Sequence, residues 1–249
     1  MRLKNKIAVV TGGGGGIGLG IAQRLADEGA SIAIADINAD NAKAAADLLR
    51  AKGITAIGAA MDVSDEASVG RFFDLVTQQL GLATILVHAA AIWSNVTVQH
   101  MSCDEWDHIQ AVNTRGTFLV CKRAMQDMMS AKEGRIVNIA STIFLSGGPG
   151  FSHYAASKGA VIAFSRSLAG EAGQYGITVN CVAPGLIATE AALTTHGHQG
   201  VEAIVQQAQI IKRAGQPDDI AAAVAFFVGP DAGFTTGQTL YVNGGMYFG

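Results

Sequence analysis

The chain has 249 residues, of which 49 % are apolar and 15 % charged, and its formal net charge is -3. This length is enough for one large domain with a well-buried core, and a charged share below the usual ~25 % favours a compact protein with part of its surface covered by other subunits. The charge excludes a strong electrostatic attraction to nucleic acid, and no apolar run reaches the ~18 residues that span a bilayer.

The N-terminus and the cysteines indicate a cytoplasmic protein. Residues 1–6 lead into only a short apolar run, unlike a secretory signal. The three cysteines lack a C-x-x-C pair and favour reduced thiols over disulfides or zinc ligation; they are Cys103, Cys121 and Cys181. His196 and His198 are interpreted as surface residues. We therefore expect no bound metal, no nucleic-acid partner and no membrane partner.

Short apolar runs alternate with helix-length segments from one end of the chain to the other. The runs predicted as strands are Ile7–Val10, Ile32–Ala35, Ala56–Met61, Ile85–Ala89, Arg135–Ala140, Thr178–Ala183 and Thr239–Val242. The predicted helices include Ile21–Glu28, Asn41–Lys52, a long helix from a capping box at Ser102 and Glu105 to about Met129, and one from Pro217 to about Val228.

This alternation predicts an α/β fold. Continuously apolar strands are typical of a parallel sheet covered on both faces, and strand–helix–strand repetition builds such a sheet. We expect a single doubly wound Rossmann-type domain over residues 1–249, with about seven parallel strands and helices on both faces. The segment 186–213 does not fit the alternation, and a long insertion of this kind is often a binding loop. We therefore expect a substrate lid over about residues 186–213.

A glycine-rich turn follows the first predicted strand and precedes the first helix. Gly12, Gly16 and Gly18 lie in this turn, where glycines let the backbone approach a pyrophosphate and the helix N-terminus favours its charge. A P-loop would require Gly-Lys-Ser/Thr, whereas Leu19 follows Gly18. The turn therefore predicts a dinucleotide site.

Asp36 ends the second predicted strand, at the distance from the glycines where the adenosine ribose is held. Its carboxylate can accept the ribose 2′-hydroxyl but repels a 2′-phosphate. At roughly 4 Å and an effective dielectric constant near 20, each pair of unit charges costs about 4 kcal/mol, which is roughly three decades in affinity. Neither Gly15 nor Ile37 supplies a cation. Asp36 therefore predicts NAD as the cofactor rather than NADP.

Tyr154 and Lys158 are four residues apart on a helical pattern and so share a helix face. A tyrosine is a poor base at neutral pH, because its pKa is near 10. An ammonium group roughly 4–5 Å away supplies about the 3–4 kcal/mol that lowers the pKa by 2–3 units. Ser141 ends the preceding strand, at the sheet edge where ligands collect. The three side chains predict an acid/base site.

These motifs resemble those of the short-chain dehydrogenase/reductases, and the resemblance covers the whole chain. In order, the motifs that carry it are Thr11-Gly12-x-x-x-Gly16-x-Gly18, Asp62-Val63, Asn113, Ser141, Tyr154-Ala-Ala-Ser-Lys158, Pro184-Gly185 with Ile187 and Thr189, Gly237-Gln238 and Asn243-Gly244-Gly245.

The resemblance implies hydride transfer between a nicotinamide and a hydroxyl or carbonyl compound. It implies that Tyr154 is the acid/base and that Ser141 hydrogen-bonds the substrate oxygen. Lys158 would hold the ribose and lower the tyrosine pKa, while Asn113 would help to position water for proton exit. The implied cofactor contacts are Gly12, Gly16, Ile17, Gly18, Asp36, Ile37, Asp62, Val63, Ala89, Ala90, Tyr154, Lys158, Pro184, Gly185, Ile187 and Thr189.

Two further expectations come from the family. It usually has Asn-Asn-Ala-Gly after the fourth strand, where this chain has His88 followed by three alanines. We interpret His88 as a structural residue that hydrogen-bonds in place of the asparagine. Family members are usually homo-oligomers, so we also expect a tetramer or dimer packed through the long helices after Ser102 and Tyr154.

The predicted substrate pocket is apolar and partly aromatic. Its expected lining is Trp93, Ile143, Phe144, Phe151, His153 and Leu186. Because apolar pockets bind apolar ligands, we expect NAD-dependent interconversion of a hydrophobic secondary alcohol, alicyclic or aromatic, and its ketone.

Two alternative functions remain open. One is a 3-oxoacyl-thioester (acyl-carrier-protein) reductase using NADPH; Asp36 argues against the NADPH, and only Lys212 and Arg213 lie near the lid to bind an acidic carrier. The other is a non-catalytic dinucleotide sensor, which would not need Tyr154 or Lys158.

Overall fold

Seven apolar segments form strands, each within one residue of its predicted bounds. The structure, a computed structural model, describes residues 1–248, without the side chains of Ala191 and His196, so these and the predicted domain end at Gly249 lie outside the described residues. The strands are β1 Ile7–Thr11, β2 Ser31–Asp36, β3 Ala56–Ala60, β4 Ile85–His88, β5 Gly134–Ile139, β6 Ile177–Pro184 and β7 Thr239–Val242. The helices are α1 Gly16–Asp27, α2 Ala39–Arg50, α3 Glu66–Gln79, α4 Cys103–Gln110, α5 Gly116–Ala131, α6 Ile143–Ser146, α7 Ser152–Ala172, α8 Glu190–Ala208 and α9 Pro217–Val228.

The strands join in one parallel sheet in the order β3-β2-β1-β4-β5-β6-β7. Apolar side chains of α1, α2 and α9, such as Leu25 and Phe227, form the core on one face. Those of α3, α5 and α7, such as Phe73 and Met128, form the core on the other. The predicted α/β fold with helices on both faces is confirmed. The order of strand addition reverses between β1 and β4, the place where ligands bind in such sheets.

The predicted long helix after Ser102 is interrupted by a π-helical turn at Ala111–Arg115, between α4 and α5. Ser102 Oγ accepts the Glu105 amide, as a cap should, at 3.1 Å. The Glu105 carboxylate, however, accepts the hydroxyl of Ser94. The predicted capping box is therefore only half formed, because a distant loop takes the carboxylate that would complete it.

The segment 186–213 is mostly helical rather than an open loop. Its helix, α8, begins after Thr189, whose hydroxyl accepts the Ala192 amide, and it is kinked at Gly197, where φ is +66°. The next helix, α9, has the predicted bounds and begins at Pro217. Residues of α8 border both cavities described below, which supports the proposed lid.

Neither a membrane-spanning helix nor a metal-binding cluster is found among the residues that the structure describes. No helix within residues 1–248 is long and apolar enough to cross a membrane. The same residues hold no group of three His, Cys, Asp or Glu side chains arranged for a metal ion. Cys103 is exposed, whereas Cys121 and Cys181 are buried, and all three are free thiols.

Gly58 tests the contact between the sheet and α2. A Cβ atom at Gly58 would lie 2.1 Å from the Ala42 carbonyl oxygen, whereas one at Gly70 in α3 would meet open space. We expect Gly58→Ala to push α2 away and to lower the free energy of unfolding by about 1–3 kcal/mol. The control Gly70→Ala should raise it by about 0.5–1 kcal/mol, because alanine favours a helix. Denaturant unfolding measures both, and equal effects would contradict this packing.

Candidate active site

Two adjoining cavities lie at the carboxyl edge of the sheet. The glycine-side cavity, of about 690 Å³, extends from the glycine turn to the end of β2. The tyrosine-side cavity, of about 400 Å³, lies beside Ser141 and Tyr154. Ile17, Ala89 and Thr189 line both of them. The two cavities therefore meet, as a cofactor site and a substrate site must for hydride transfer.

The glycine turn fits a dinucleotide pyrophosphate. Gly12 has φ +62°, and a Cβ atom there would lie 2.9 Å from Ala90. A Cβ atom on Gly18 would lie 2.1 Å from the Gly12 carbonyl oxygen, so only glycine allows this close approach. No described side chain caps α1 at Gly15. The first amides of α1 are therefore free to bind an anion.

Asp36 is held at the far end of the glycine-side cavity. Its carboxylate accepts the amides of Gly14 at 3.0 Å and Asn38 at 3.1 Å. The charged lining also includes Asp62 and Glu190, and no lysine or arginine is among the lining residues that the structure describes. The acidic lining suits a ribose 2′-hydroxyl and offers a 2′-phosphate no cation.

The predicted cofactor contacts are all found in one cavity or the other. Those in the glycine-side cavity are Gly12, Gly16, Ile17, Gly18, Asp36, Ile37, Asp62, Val63, Ala89, Ala90 and Thr189. Those in the tyrosine-side cavity are Tyr154, Lys158, Pro184, Gly185 and Ile187. Sequence reasoning missed His108 and Val112, which also line the glycine-side cavity. These two residues are four apart and share a helix face, but only the packing of that helix shows that they line the cavity.

His88 and Thr11 tie β4 to β1 beneath the cavities. The Thr11 hydroxyl accepts the amides of Ala89 and Ala90, each at 3.1 Å, and lies 2.9 Å from His88 Nδ1. Because both lone pairs of the hydroxyl are used, its proton goes to Nδ1. Nε2 then carries the ring proton and has no partner within residues 1–248. Burial, with a smaller contribution from the Lys158 charge, lowers the pKa of His88 to about 3. His88 therefore supplies the expected hydrogen bond as a neutral ring.

Tyr154 lies in the first turn of α7 with its hydroxyl hydrogen-bonded to Ser141. Burial raises the pKa of Tyr154 to about 12, although the Ser141 hydrogen bond opposes this rise. Ser141 Oγ also accepts the Ile143 amide at 3.2 Å. Without a bound cofactor, Tyr154 is therefore a neutral phenol rather than a phenolate.

Lys158 shares the face of α7 with Tyr154, as predicted, but the pKa of Tyr154 is raised rather than lowered. Its ammonium donates to the Ile139 carbonyl at 2.7 Å and lies 5.7 Å from the centre of the Tyr154 ring. Burial lowers the pKa of Lys158 to about 8. The expected lowering of the Tyr154 pKa is therefore corrected: burial of the phenol outweighs any effect of this ammonium group.

Asn113, in the π-helical turn, braces the loop after β4 against α7. Its Oδ1 accepts the Ile92 amide at 2.9 Å, and its Nδ2 donates to the Ile92 carbonyl at 2.8 Å and to Ser157 Oγ at 3.0 Å. Its carbonyl accepts the Thr117 hydroxyl at 2.6 Å. Both amide protons are thus committed to protein groups, so any contact with water involves the Asn113 oxygen atoms.

The walls of the tyrosine-side cavity are mostly apolar. Trp93, Ile143, Phe151 and Leu186 line it as predicted. Sequence reasoning missed several further lining residues, because they come from α8 and the C-terminal segment: Ala192, Ile204, Met246 and Tyr247. Ala192 and Ile204 lie within the predicted lid, although they were not predicted individually, whereas Met246 and Tyr247 lie outside every segment predicted to form the pocket.

Two predicted pocket residues, Phe144 and His153, do not line the cavity. The Phe144 ring stacks on Tyr241 at 6.3 Å between centroids, because α6 directs it towards the sheet while its neighbour Ile143 faces the cavity. His153 is fully buried and hydrogen-bonds Ser94 at 2.8 Å. Successive helical residues point about 100° apart, so His153 and the cavity-lining Tyr154 face different neighbours.

The fold and the paired cavities define a dinucleotide-dependent oxidoreductase, and the comparisons with known proteins agree. A family model described as enoyl-(acyl carrier protein) reductase matches residues 12–247. The 3-oxoacyl-[acyl-carrier-protein] reductases of Vibrio cholerae and Escherichia coli are 37% and 39% identical to the chain, each over 99% of both proteins. A (2S)-[(R)-hydroxy(phenyl)methyl]succinyl-CoA dehydrogenase subunit of Thauera aromatica is 38% identical over 98% of both. The chain belongs to the short-chain dehydrogenase/reductase family, which confirms the resemblance.

The buried neutral His88 predicts a specific sensitivity to acid. Its pKa is lowered from 6.5 to about 3 in the folded protein, so acid unfolding takes up one proton at this ring. The contribution of this ring to the free energy of unfolding is fully present above pH ~6.5. It falls by up to about 1.4 kcal/mol per pH unit as the pH drops towards ~3. We expect His88→Asn to make this loss shallower in urea unfolding from about pH 6 to pH 4. The exposed control His100→Asn should leave the slope unchanged, and equal slopes in all three proteins would contradict the assignment.

Proposed function

We propose that the protein reduces 3-oxoacyl thioesters that have apolar acyl groups, and oxidises the corresponding 3-hydroxyacyl thioesters, with NAD(H) as its cofactor. The names of the similar reductases and of the succinyl-CoA dehydrogenase subunit refer to thioester substrates. They favour the thioester alternative over the free hydrophobic alcohol that the sequence predicts. The hydride chemistry is common to both, since a 3-hydroxyacyl thioester is itself a secondary alcohol.

The observation that carries the proposal is the phenol of Tyr154 beside Ser141 in an apolar cavity. When bound, the nicotinamide supplies or accepts the hydride. Tyr154 would donate its proton to the substrate oxygen, and Ser141 would donate a hydrogen bond to the same oxygen as its charge grows. A phenol that keeps its proton at neutral pH suits the reductive direction. Lys158 has one ammonium proton on Ile139 and can offer the others to the ribose hydroxyls.

Asp36 supports NAD(H) rather than the NADPH expected for the thioester alternative. Two backbone amides fix its carboxylate, so it cannot swing away from an incoming 2′-phosphate without losing both hydrogen bonds. The lysine and the arginine near the lid do not compensate for the repulsion of a 2′-phosphate, because other groups hold them. Lys212 donates to the Gln206 carbonyl, and Arg213 pairs with Asp219.

We also propose that the chain forms a homo-oligomer through α4, α5 and α7, by contact with a second copy of itself. A groove of about 480 Å³ runs between these helices and is lined by Phe118, Ala160 and Phe164, among others. Phe118 is 45 % exposed and meets the edge of Phe164 at 6.4 Å between ring centroids. Small residues such as Ala160 allow a partner helix to approach closely.

Removing the Asp36 carboxylate should relax the cofactor preference. We expect Asp36→Ala to raise the ratio of kcat/KM for NADPH over NADH by about 10²–10³, because the repulsion of a 2′-phosphate is lost. Initial rates with both cofactors measure this ratio. Asp40→Ala removes an exposed carboxylate from the nearby first turn of α2 and should leave the ratio unchanged. A parent enzyme that prefers NADPH would contradict the proposed cofactor.

The substrate proposal is tested by initial rates with NADH and four compounds: acetoacetyl-CoA, a phenyl-bearing 3-oxoacyl-CoA, a free cyclic ketone and a 2-enoyl-CoA. We expect the two 3-oxoacyl thioesters to be reduced fastest. Tyr154→Phe should lower kcat by about 10²–10⁴, because the proton donor is lost, while NADH binding is retained.

Other results would point to other functions. A strong preference for the free ketone would restore the hydrophobic-alcohol hypothesis, which the aromatic side chains Trp93 and Phe151 in the cavity wall favour. Reduction of the enoyl thioester alone would contradict both hypotheses. No turnover of any compound, with NADH still bound, would favour the dinucleotide sensor.

A further inference from the structure

One wall of the tyrosine-side cavity is made by two chain segments that face each other, 93–96 after β4 and 150–153 at the start of α7. The rings of Trp93 and Phe151 lie 5.9 Å apart between centroids and both line the cavity. The Val96 amide donates to the Gly150 carbonyl at 2.9 Å. We call these paired rings the aromatic wall. Its shape depends on how the two segments are held together.

Behind the aromatic wall, three polar side chains from three elements meet. The Ser94 hydroxyl donates to Glu105 Oε1 of α4 at 2.5 Å and lies 2.8 Å from His153 Nε2 of α7. His153 is fully buried, and Glu105 is 34 % exposed. Two of these side chains lie next to the wall in sequence, because Ser94 follows Trp93 and His153 is two residues after Phe151. None of the three is among the described residues that line the cavity.

The direction of each hydrogen bond in this cluster can be assigned. A serine hydroxyl has one proton, and an ionised carboxylate can only accept. Because Ser94 gives its proton to Glu105, the contact with His153 requires Nε2–H as the donor. His153 Nδ1 is buried and has no partner within residues 1–248. The only described side-chain hydrogen bond of His153 therefore goes to Ser94, which makes Ser94 the link between both segments and α4.

We propose that Ser94, Glu105 and His153 are positioning residues that hold the aromatic wall and so select substrates with a bulky apolar acyl group. The proposal rests on the proposed function for the substrate class. These residues do not touch the reacting atoms. The Tyr154 backbone is held separately, because Gln110 Nε2 donates to the His153 carbonyl at 3.0 Å whatever the His153 side chain is. Loss of the cluster should therefore change the recognition of bulky substrates more than the chemical step.

Ser94→Ala is the first test, with acetoacetyl-CoA and a phenyl-bearing 3-oxoacyl-CoA as substrates. We expect the KM of the phenyl substrate to rise about tenfold, since a hydrogen bond to a charged group is lost and the wall loosens. The KM of acetoacetyl-CoA and both kcat values should stay within about twofold. Ser94→Thr keeps the hydroxyl and should behave as the parent does. Ser130→Ala, which removes an exposed hydroxyl bound to the Gln126 carbonyl, is the matched control.

His153 allows a second test. His153→Gln retains an N–H donor at a similar reach and should preserve the preference for the phenyl substrate, whereas His153→Leu should abolish it. If the buried leucine prevents folding, Ser94→Ala and Glu105→Gln at partly exposed positions still give the answer. A lower melting temperature with an unchanged ratio of the two KM values would mean that the cluster only stabilises the fold, which overturns the proposal.

Trp93 provides a readout that does not depend on turnover. The chain has two tryptophans, so a Trp106→Phe background leaves Trp93 as the single reporter. In this background, Ser94→Ala should increase acrylamide quenching of Trp93 and should raise the Kd of the phenyl thioester about tenfold relative to acetoacetyl-CoA. If the parent turns over neither thioester, the proposed function fails, and the ratio of Kd values still decides this proposal. Unchanged quenching or an unchanged ratio overturns it.

Discussion

Every strand of the sheet runs in the same direction, and the order of strand addition reverses between β1 and β4. The loops that follow the strands therefore all lie at one edge of the sheet. The loops after β1 and β4 diverge and leave a crevice between them. At this point, the Thr11 hydroxyl binds His88 and the two amides that follow it. This contact fixes the bottom of the crevice. The glycine turn, Asp36 and Ser141 can come together because the strands whose ends they follow or form are held in this register, and α7 places Tyr154 beside Ser141.

The two cavities differ in the charged and titratable side chains that line them. The glycine-side cavity has three acidic side chains in its lining, those of Asp36, Asp62 and Glu190. The tyrosine-side cavity is lined mostly by apolar groups, and burial acts in opposite directions on Tyr154 and Lys158, two of its titratable side chains. It raises the pKa of Tyr154 to about 12 and lowers the pKa of Lys158 to about 8. Both shifts favour the uncharged form. A protonated phenol follows from burial in an apolar site, and it is the form that can protonate a substrate oxygen.

Much of the fold could be predicted because its signals are local. A buried strand is a short apolar run, and the glycine turn needs glycine where φ is positive or another backbone comes close, as at Gly12 and Gly18. Prediction from the sequence failed where a long-range contact determines the local structure. Glu105 would complete a capping box, but Ser94 takes its carboxylate. The π-helical turn that divides the long helix also has no clear local signal.

The candidate site shows the same limit. Residues that follow strands were placed correctly, since the strand ends fix them at the edge of the sheet. The directions of side chains in the first turns of helices were not predicted correctly, because Phe144 and His153 face away from the cavity. The cavity also takes Ile204 and Met246 from segments far along the chain. The predicted lid does not indicate which side chains of α8 reach the cavity, and the place of Met246 depends on how the C-terminal segment folds back.

The central claim is that an NADH site and a 3-oxoacyl thioester site meet at Tyr154. It is tested most directly by following the hydride itself, with NADH dideuterated at C4 of the nicotinamide and acetoacetyl-CoA as the substrate. Mass spectrometry of the product should find one deuterium, at C3 of the 3-hydroxybutyryl group. Deuterium that reaches this position only from labelled NADPH would contradict the role of Asp36, and its absence from the product with either cofactor would contradict the proposed reaction.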